Sequence, residues 1–577
     1  MSDKLQAYRA GHGDIPATQQ AWHLYGEGLE NFGRDQAAVE IPVPACGPRE
    51  LLARIDACGL CFSDIKVIKQ GGSHPRLFNR DLANDPTVLG HEVAMTIVGV
   101  GEEMGGEFQV GDRFVIQADI YYQGVNLAFG YMIPGGLQQY VRLGDEILRG
   151  DDGCYLIPVK DQTGYAEAAL AEPWACVVRA YRDTRRQAMK AGGKCWVVGC
   201  LTCEAINYEM GGIDTTSAPS QLVISNCPEN VVHAVQNVMD VPGVKLVQAD
   251  GQNLAEIAQR YAPEGFDEIF VLGCCADVVE AAAAHLGKEG IMTLITRSHF
   301  DRLIQVDVGR VHYDAHQFVG ARQETPLAGY KAPRALKLHA GGRCWIAGAG
   351  GPMGQMHVQL ACEASDGPQI IVCTDIDNER LGRIPERFGE AAARRGAELI
   401  LLNPKDLGDQ FEVQLQALAP EGFDDVVCLV PVPAIISQCS RFLGSRGVFN
   451  IFAGVARGTM ADMDLSSVVH KQARYFGSSG SAIEDLQYTL QLAEQGELSP
   501  NMAVAAIGGL SAAWDGLQGV LDSTFPGKVV IYPQIENLPL TALEDLADTL
   551  PEVAAHLGRG NVWTAEAEAA LLEHFLG

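Results

Sequence analysis

The chain is short of positive charge. Its 577 residues carry 43 Lys and Arg against 72 Asp and Glu, a net charge of −29. Nucleic acid and anionic membrane surfaces would be repelled, so neither is an expected partner. Long uncharged apolar runs are lacking, which argues against a membrane span. The N-terminal stretch MSDKLQAYRAGHGD has no apolar core of the kind a secretory signal requires, and a cytoplasmic location is expected. The 16 cysteines show no framework spacing. Many of them, such as Cys195, Cys344, Cys373 and Cys428, lie in apolar strands, which suits buried thiols or metal ligands better than disulfides. A hydrophobic content of 47% with 20% charged residues describes a globular chain, and its length suggests three or four domains.

Gly341 to Asp375 is the stretch around which the rest is organised. It runs from a short apolar strand (Cys344 to Ala347) through a turn crowded with Gly348, Gly350, Gly351, Met353 and Gly354 into a helix. A second apolar strand follows and closes on Asp375. That order of strand, glycine turn, helix, strand and acid is a dinucleotide-binding unit. The glycines let backbone approach a pyrophosphate, and the free N–H groups of the helix start face that anion. A carboxylate at the second strand's end accepts ribose hydroxyls and repels a 2′-phosphate, so Asp375 favours NAD over NADP. The turn, GAGGPMG, is one residue longer than the strict spacing.

Upstream, the first 185 residues read as many short strands broken by Gly and Pro, the pattern of a β-barrel-like domain. A helix containing AEPWACV leads out of it. Two α/β units follow as an internal repeat. GGKCWVVG at Gly192 matches GGRCWIAG at Gly341, and APEGFDEI at Ala262 matches APEGFDDV at Ala419, at offsets of 149 and 157. VDVGRVHYDAHQFVG from Val306 tracks MDLSSVVHKQARYFG from Met463, again at 157. The first copy keeps only Gly199 of the glycine turn and has Cys227 about where Asp375 would fall, so it is read as a scaffold without the dinucleotide. Its Cys200 and Cys203 form a CxxC pair, which is either half of a metal or redox site or two small thiols in a remodelled turn. The expected fold is α/β, with a barrel at 1–185, two tandem doubly wound parallel sheets at 186–335 (degenerate) and 336–500 (NAD-binding), and a segment at 501–577 that returns to the barrel and ends in a packed helical tail with a solvated acidic face.

The barrel carries three groups with chemistry. Cys61 lies in GLCFSD beside Ser63 and Asp64, His91 and Glu92 are adjacent in GHE, and Glu172 opens the helix leading out. Thiolate, imidazole and carboxylate are competent zinc ligands, and a catalytic zinc keeps an open position for substrate. Asp64 is placed to orient His91 from behind. Upstream of a dinucleotide unit, this set indicates zinc-assisted hydride transfer.

These residues resemble the zinc-dependent medium-chain dehydrogenases, which join a GroES-like barrel to a Rossmann domain. The resemblance runs through GLCFSD (Gly59 to Asp64), VLGHE (Val88 to Glu92), VGDRF (Val110 to Phe114), GGLQQY (Gly135 to Tyr140), AEPWACV (Ala171 to Val177), TDIDNERL (Thr374 to Leu381) and PGKVVIYP (Pro526 to Pro533). It is strongest toward the polyol and sugar branch, including its sugar-phosphate reductases. It implies that Cys61, His91 and Glu92 hold catalytic zinc, with Glu172 as a fourth ligand directly or through water. It further implies that Ser63 relays a proton and that Asp375 and Arg380 hold the adenosine ribose of NAD. Lys66 stands where relatives often carry a relay histidine. The stretch FVIQADIYYQGVNLAFGYMI after Arg113 has no cysteine, so one zinc is expected rather than two. The expected activity is hydride transfer between NAD(H) and the secondary alcohol or ketone of a polyol, sugar or sugar phosphate, by a homo-oligomer. Amino alcohols, simple alcohols and a non-catalytic binding module are readings these residues leave open. The loop GGSHPRLFNRD offers His74, Arg76, Asn79 and Arg80 to substrate hydroxyls or a phosphate.

Overall fold

The computed structural model describes residues 3–182, 186–200, 217–238, 242–251, 253–322, 328–331 and 334–576. The chain divides into two compact units: Met1–Val178 together with Gly480–Gly577, and Arg179–Ser479. The C-terminal segment Gly480–Gly577 thus belongs to the same compact unit as the first 178 residues.

The first unit is built on an eight-stranded sheet. Its strands run in the order Leu156–Pro158, Arg113–Ile116, Glu92–Val100, Leu51–Gly59, Lys528–Tyr532, Val504–Gly509 and Thr541–Ala542, and Tyr140–Leu143 also pairs with Leu51–Gly59. Leu51–Gly59 is buried along its whole length because it sits at the centre with neighbours on both sides. Lys528–Tyr532 pairs antiparallel at Val530↔Gly59 and Ile531↔Cys58, which threads the C-terminal segment into the middle of the sheet. The helical tail is less solvated than its acidic sequence implies. Glu568 is 1% exposed and accepts from the Tyr165 N (2.6 Å) and Ala166 N (2.7 Å) and from the Tyr532 Oη (2.9 Å). It thereby supplies the orphan N–H groups at the start of helix Tyr165–Ala169 with an acceptor.

The second unit departs from two separate tandem sheets: both repeats share one continuous twelve-stranded sheet. The first half runs Lys245–Gln248, Gln221–Ser225, Lys194–Gly199, Phe266–Leu272, Leu286–Ile295, Gln317–Ala321. The second continues Arg474–Phe476, Leu443–Ile451, Phe423–Cys428, Arg343–Ala347, Ile370–Thr374, Glu398–Leu402. Each half has the doubly wound order in which the chain's first strand lies inside, and all pairings within a half are parallel. The halves meet through an antiparallel pair, Gln317↔Phe476 and Phe318↔Tyr475. A polar fastening recurs in both: Trp196 Nε1 donates to Ser225 Oγ (2.8 Å), and Trp345 Nε1 to Thr374 Oγ1 (3.0 Å). Likewise the Lys194 N donates to Asp267 Oδ2 and the Arg343 N to Asp424 Oδ2, both at 2.8 Å. Among the described residues no helix is long and apolar enough to cross a membrane.

Candidate active site

Strand register assembles the metal donors. Leu51–Gly59 pairs with Glu92–Val100 so that Gly59 lies opposite Glu92, which sets Cys61 and His91 side by side just beyond the ladder. Cys61, His91 and Glu92 each point one ligand atom into a common space, all within 4.8 Å of one another. A Cβ on Gly59 would lie 2.3 Å from Glu92 Oε2, so a larger residue there would push the Glu92 carboxylate from its place. Gly90, at φ +94°, turns the chain into His91 in a conformation that favours glycine.

Asp64, 1% exposed, fixes the donors from behind. Its Oδ2 accepts from the Cys61 N (3.0 Å), while its Oδ1 lies 3.3 Å from the Gly90 N and 3.4 Å from His91 Nδ1. The Asp64 carboxylate thus lies beside the His91 ring, although His91 Nδ1 makes no hydrogen bond. Burial opposes the imidazolium, but Asp64 and Cys61 outweigh it and lift His91 well above its usual range.

Lys528, which motif reading passed over, stands beside the donors. Its side chain is 5% exposed, bonds Glu92 Oε1 and donates to the Leu60 O at 3.2 Å. Glu92 Oε2 is buried with no hydrogen-bond partner. One carboxylate oxygen is thus neutralised and the other is left for a cation. That orphaned oxygen, beside a thiol and an imidazole, fits a zinc ion. A lone lysine in the apolar run KVVIY was the available signal.

Glu172 opens helix Ala171–Arg179 but is not one of the three converging donors. Burial first, with Glu92 adding, pushes its carboxyl up to about 7, while His91 and Lys528 pull the other way. One turn on, Cys176 is pushed well above the usual thiol range by burial and then by Glu172, which marks a second group near the donors that sequence reasoning missed. Ser63 and Lys66 are both half-buried on helix Phe62–Gln70, which Cys61 caps. Tyr131 packs against His91, ring centroids 6.0 Å apart.

In the second unit the glycine turn lies where strand order reverses, between Arg343–Ala347 and Phe423–Cys428. Gly348 has φ +85°, and a Cβ on Gly354 would lie 2.1 Å from the Gly348 O, so both are required by the turn itself. Gly351 differs: the nearest atom to a Cβ there is 3.9 Å away, which leaves the space open for a ligand. It caps helix Pro352–Glu363, with Met353 half-buried in the first turn. Asp375 Oδ2 accepts from the Gly350 N (3.0 Å), tying the acid to the turn. Arg380 lies alongside, since a Cβ on Gly350 would meet Arg380 Cβ at 2.8 Å. In the first repeat the register corrects the sequence alignment by one residue. Ser225 stands where Thr374 does, so Asn226, rather than Cys227, occupies the place of Asp375. An amide replaces the acid. Cys200 is buried, and Cys203, the other half of the CxxC pair, lies outside the described residues.

Residues 47–149 match the alcohol dehydrogenase GroES-like domain. The chain is 30% identical to D-arabitol-phosphate dehydrogenase of Enterococcus avium over 54% of its own length and 85% of that protein. It belongs to the zinc-type medium-chain polyol dehydrogenase family. Two further members of that family match nearly end to end. Mannitol-1-phosphate 5-dehydrogenase of Aliivibrio fischeri is 24% identical, covering 92% of this chain and 94% of the relative. L-sorbose 1-phosphate reductase of Klebsiella pneumoniae is 23% identical, covering 96% and 98%. Among solved structures, 2R,3R-butanediol dehydrogenase from Bacillus subtilis superposes with a TM-score of 0.50 at 16% identity, covering 89% of this chain and 99% of its own. That likeness concerns the fold. The chain is therefore an oxidoreductase of the alcohol dehydrogenase family, and Cys61, His91 and Glu92 are a group of donors that could hold a metal ion.

Proposed function

We propose that the chain transfers a hydride between NAD(H) and a secondary alcohol or ketone of a polyol, sugar or sugar phosphate, with one zinc ion held by Cys61, His91 and Glu92. The observation that carries this reading is the convergence of those three donors within 4.8 Å, with Glu92 Oε2 buried and unpartnered. When bound, zinc supplies Lewis-acid stabilisation of negative charge on oxygen. NAD, held by Gly348, Gly350, Gly351, Met353 and Gly354 with Asp375 and Arg380 at the ribose, supplies the hydride acceptor.

The chain's own residues supply position and proton handling. Asp64 sets the imidazole plane of His91. Lys528 holds Glu92 in place and cancels half of its charge. Glu172, at the start of the helix beside the donors, stands as the fourth, exchangeable ligand, directly or through water. Ser63, half-buried two residues past Cys61, relays the alcohol proton outward, and Lys66 one turn on continues that path toward solvent. Asp375 selects NAD because its carboxylate accepts from hydroxyls and repels a 2′-phosphate. The first repeat, with Asn226 in place of an acid, holds no dinucleotide. The names of relatives, mannitol-1-phosphate 5-dehydrogenase, L-sorbose 1-phosphate reductase and D-arabitol-phosphate dehydrogenase, support a substrate among polyols and their phosphates.

An assay of purified protein with NAD and NADP against hexitols, pentitols and their phosphates tests the reading. NAD reduction with at least one polyol or polyol phosphate is expected. No turnover with any of them, or faster turnover with NADP, would contradict it.

A further inference from the structure

At the carboxyl edge of the first repeat the chain closes over the strand end. A Cβ on Gly199 would lie 2.1 Å from the Asn226 O, so backbone already fills the space beside it. Asn226 is itself tied down: its N donates to Asp250 Oδ1 (2.7 Å), and its Oδ1 accepts from the Gly251 N (3.0 Å).

Thiols collect at this edge. Strand order sets Lys194–Gly199 between Gln221–Ser225 and Phe266–Leu272. Cys200, Cys227 and Cys274 follow these three strands in turn, each within two residues of its strand's end. Cys227 is committed to the strand ends, since its Sγ donates to the Val197 O and the Ser225 O, both at 3.4 Å. It packs on the core that holds Cys195 and Val197. Cys200 and Cys274 pack on the opposite core, with Trp196 and Val198, because successive strand residues face opposite ways.

Register brings Cys200 and Cys274 together. Gly199 pairs with Leu272, and the Cys200 N donates to the Leu272 O at 2.9 Å, which sets Cys200 abreast of Gly273. Neighbouring strands lie about 4.8 Å apart, and Cys274 is the next residue along. A disulfide spans Cα atoms about 4.4–6.8 Å apart, a range that one strand spacing and one residue of chain meet. Gly273 places no side chain between the thiols, and its φ of +100° turns the chain there. Cys200 is 3% exposed, whereas Cys274 is half-buried and open to a reagent. The second repeat has Ala349 and Pro431 at the matching positions, so the doubly wound fold does not itself require this pair.

We propose that Cys200 and Cys274 form a thiol–disulfide pair that responds to oxidised low-molecular-weight thiols. Cys274, as its thiolate, attacks the small disulfide. The small S–S bond breaks, one small thiolate leaves, and a mixed disulfide remains on Cys274. Cys200 then loses its proton to solvent and attacks the Cys274 sulfur, which expels the second small thiolate. Two protein thiols are thereby oxidised to one disulfide, and one small disulfide is reduced to two thiols. The accessible thiol captures the oxidant and the buried one resolves it. The link fastens the ends of Lys194–Gly199 and Phe266–Leu272 to each other, and it depends on neither the metal donors nor the nicotinamide reading.

The test uses the full chain with its zinc, incubated with oxidised glutathione, alkylated and mapped by peptide mass spectrometry. A peptide pair joined through Cys200 and Cys274 is expected, and dithiothreitol should return both thiols. Cys200→Ala, which copies Ala349 of the second repeat, should stop at the mixed disulfide and keep one glutathione on Cys274. Cys274→Ser should form no link and leave Cys200 reduced, with circular dichroism matching the parent in both variants. Cys200 joined to Cys203 or Cys275 instead would overturn the pair. So would a parent in which Cys274 keeps its glutathione, or in which neither thiol reacts.

Discussion

Phe318 pairs with Tyr475 across the seam of the twelve-stranded sheet, and each is the other's counterpart in the internal repeat. The same holds for Gln305 and Asp462 in the adjoining ribbon of Ile304–Asp307 and Met460–Met463. Antiparallel pairs of equivalent residues place a local two-fold axis within one chain, the relation an isologous dimer interface has between two chains. The outer strand of each half is thus covered by the other half, and an exposed sheet edge, which invites further pairing, is closed at this point.

A homo-oligomer must then use other surfaces. Tyr475 is the polar anchor of the seam: its hydroxyl meets Ser467 Oγ (2.6 Å), the Ser440 O (3.0 Å) and the Asp464 O (2.7 Å) in a buried setting. Tyr475→Phe should cost about 1–3 kcal/mol in urea unfolding, the usual consequence of leaving buried acceptors unpaired. The native mass by light scattering should not change. A fall in mass would mean that the seam lies between chains.

Lys528→Met leaves Glu92 buried without its cation. Breaking a buried pair from one side costs about 3–5 kcal/mol. Reduced thermal stability is expected, with partial recovery in Lys528→Met/Glu92→Gln. Equal stability of the single variant and the parent would remove Lys528 from the site.

The glycine turn separates fold from ligand. A Cβ on Gly354 meets backbone at 2.1 Å, whereas one on Gly351 meets nothing closer than 3.9 Å. Gly351→Leu should keep the ligand-free stability within about 0.5 kcal/mol, as for open positions generally, yet lower NAD affinity at least about tenfold by filling the pyrophosphate's space. Asp375→Ala should weaken NAD more than NADP in the same calorimetric titration. Unchanged NAD binding in both variants would place the cofactor elsewhere.

His316 and His357 tie stability of the second unit to pH. Both are buried with an unpartnered Nε2, and burial lowers each to about 3, with Arg310 adding at His316. His357 keeps its Nδ1 against the Tyr181 Oη at 2.5 Å. The folded state thus holds two neutral rings that the unfolded chain would protonate below about 6.5. Their contribution is fully present above that value and is lost as pH falls toward 3, by up to about 1.4 kcal/mol per pH unit for each ring. Urea midpoints should drop between pH 7 and pH 5, and less steeply in His357→Gln. A midpoint that rises on acidification would contradict the assignment.

Much of this was legible in the sequence, and the rest was not for identifiable reasons. Cys61, His91 and Glu92 could be read together because their residue types carry metal chemistry regardless of distance along the chain. The repeat was visible because its strands retain wording such as GGKCWVVG and GGRCWIAG. Lys528 stayed hidden because a single lysine in a strand says nothing until the pairing of Val530 with Gly59 brings it to the Leu60 carbonyl and Glu92. Glu568 read as part of a solvated face because helical periodicity carries no record of which other helix needs a cap. The single continuous sheet was hidden for a related reason: edge pairing between Gln317–Ala321 and Arg474–Phe476 leaves no mark in composition. Cys227 was taken for the counterpart of Asp375 because alignment by eye slips by one residue where the glycine turn is lost, and strand register restores Asn226.

The most direct test of the zinc-dependent reading is metal content measured beside activity in the parent and in Cys61→Ser. About one zinc per chain is expected in the parent, the count for a single catalytic site. Cys61→Ser should lose both zinc and polyol oxidation while remaining folded by circular dichroism. A parent that is active without zinc, or a Cys61→Ser variant that keeps its zinc and its activity, would contradict the account.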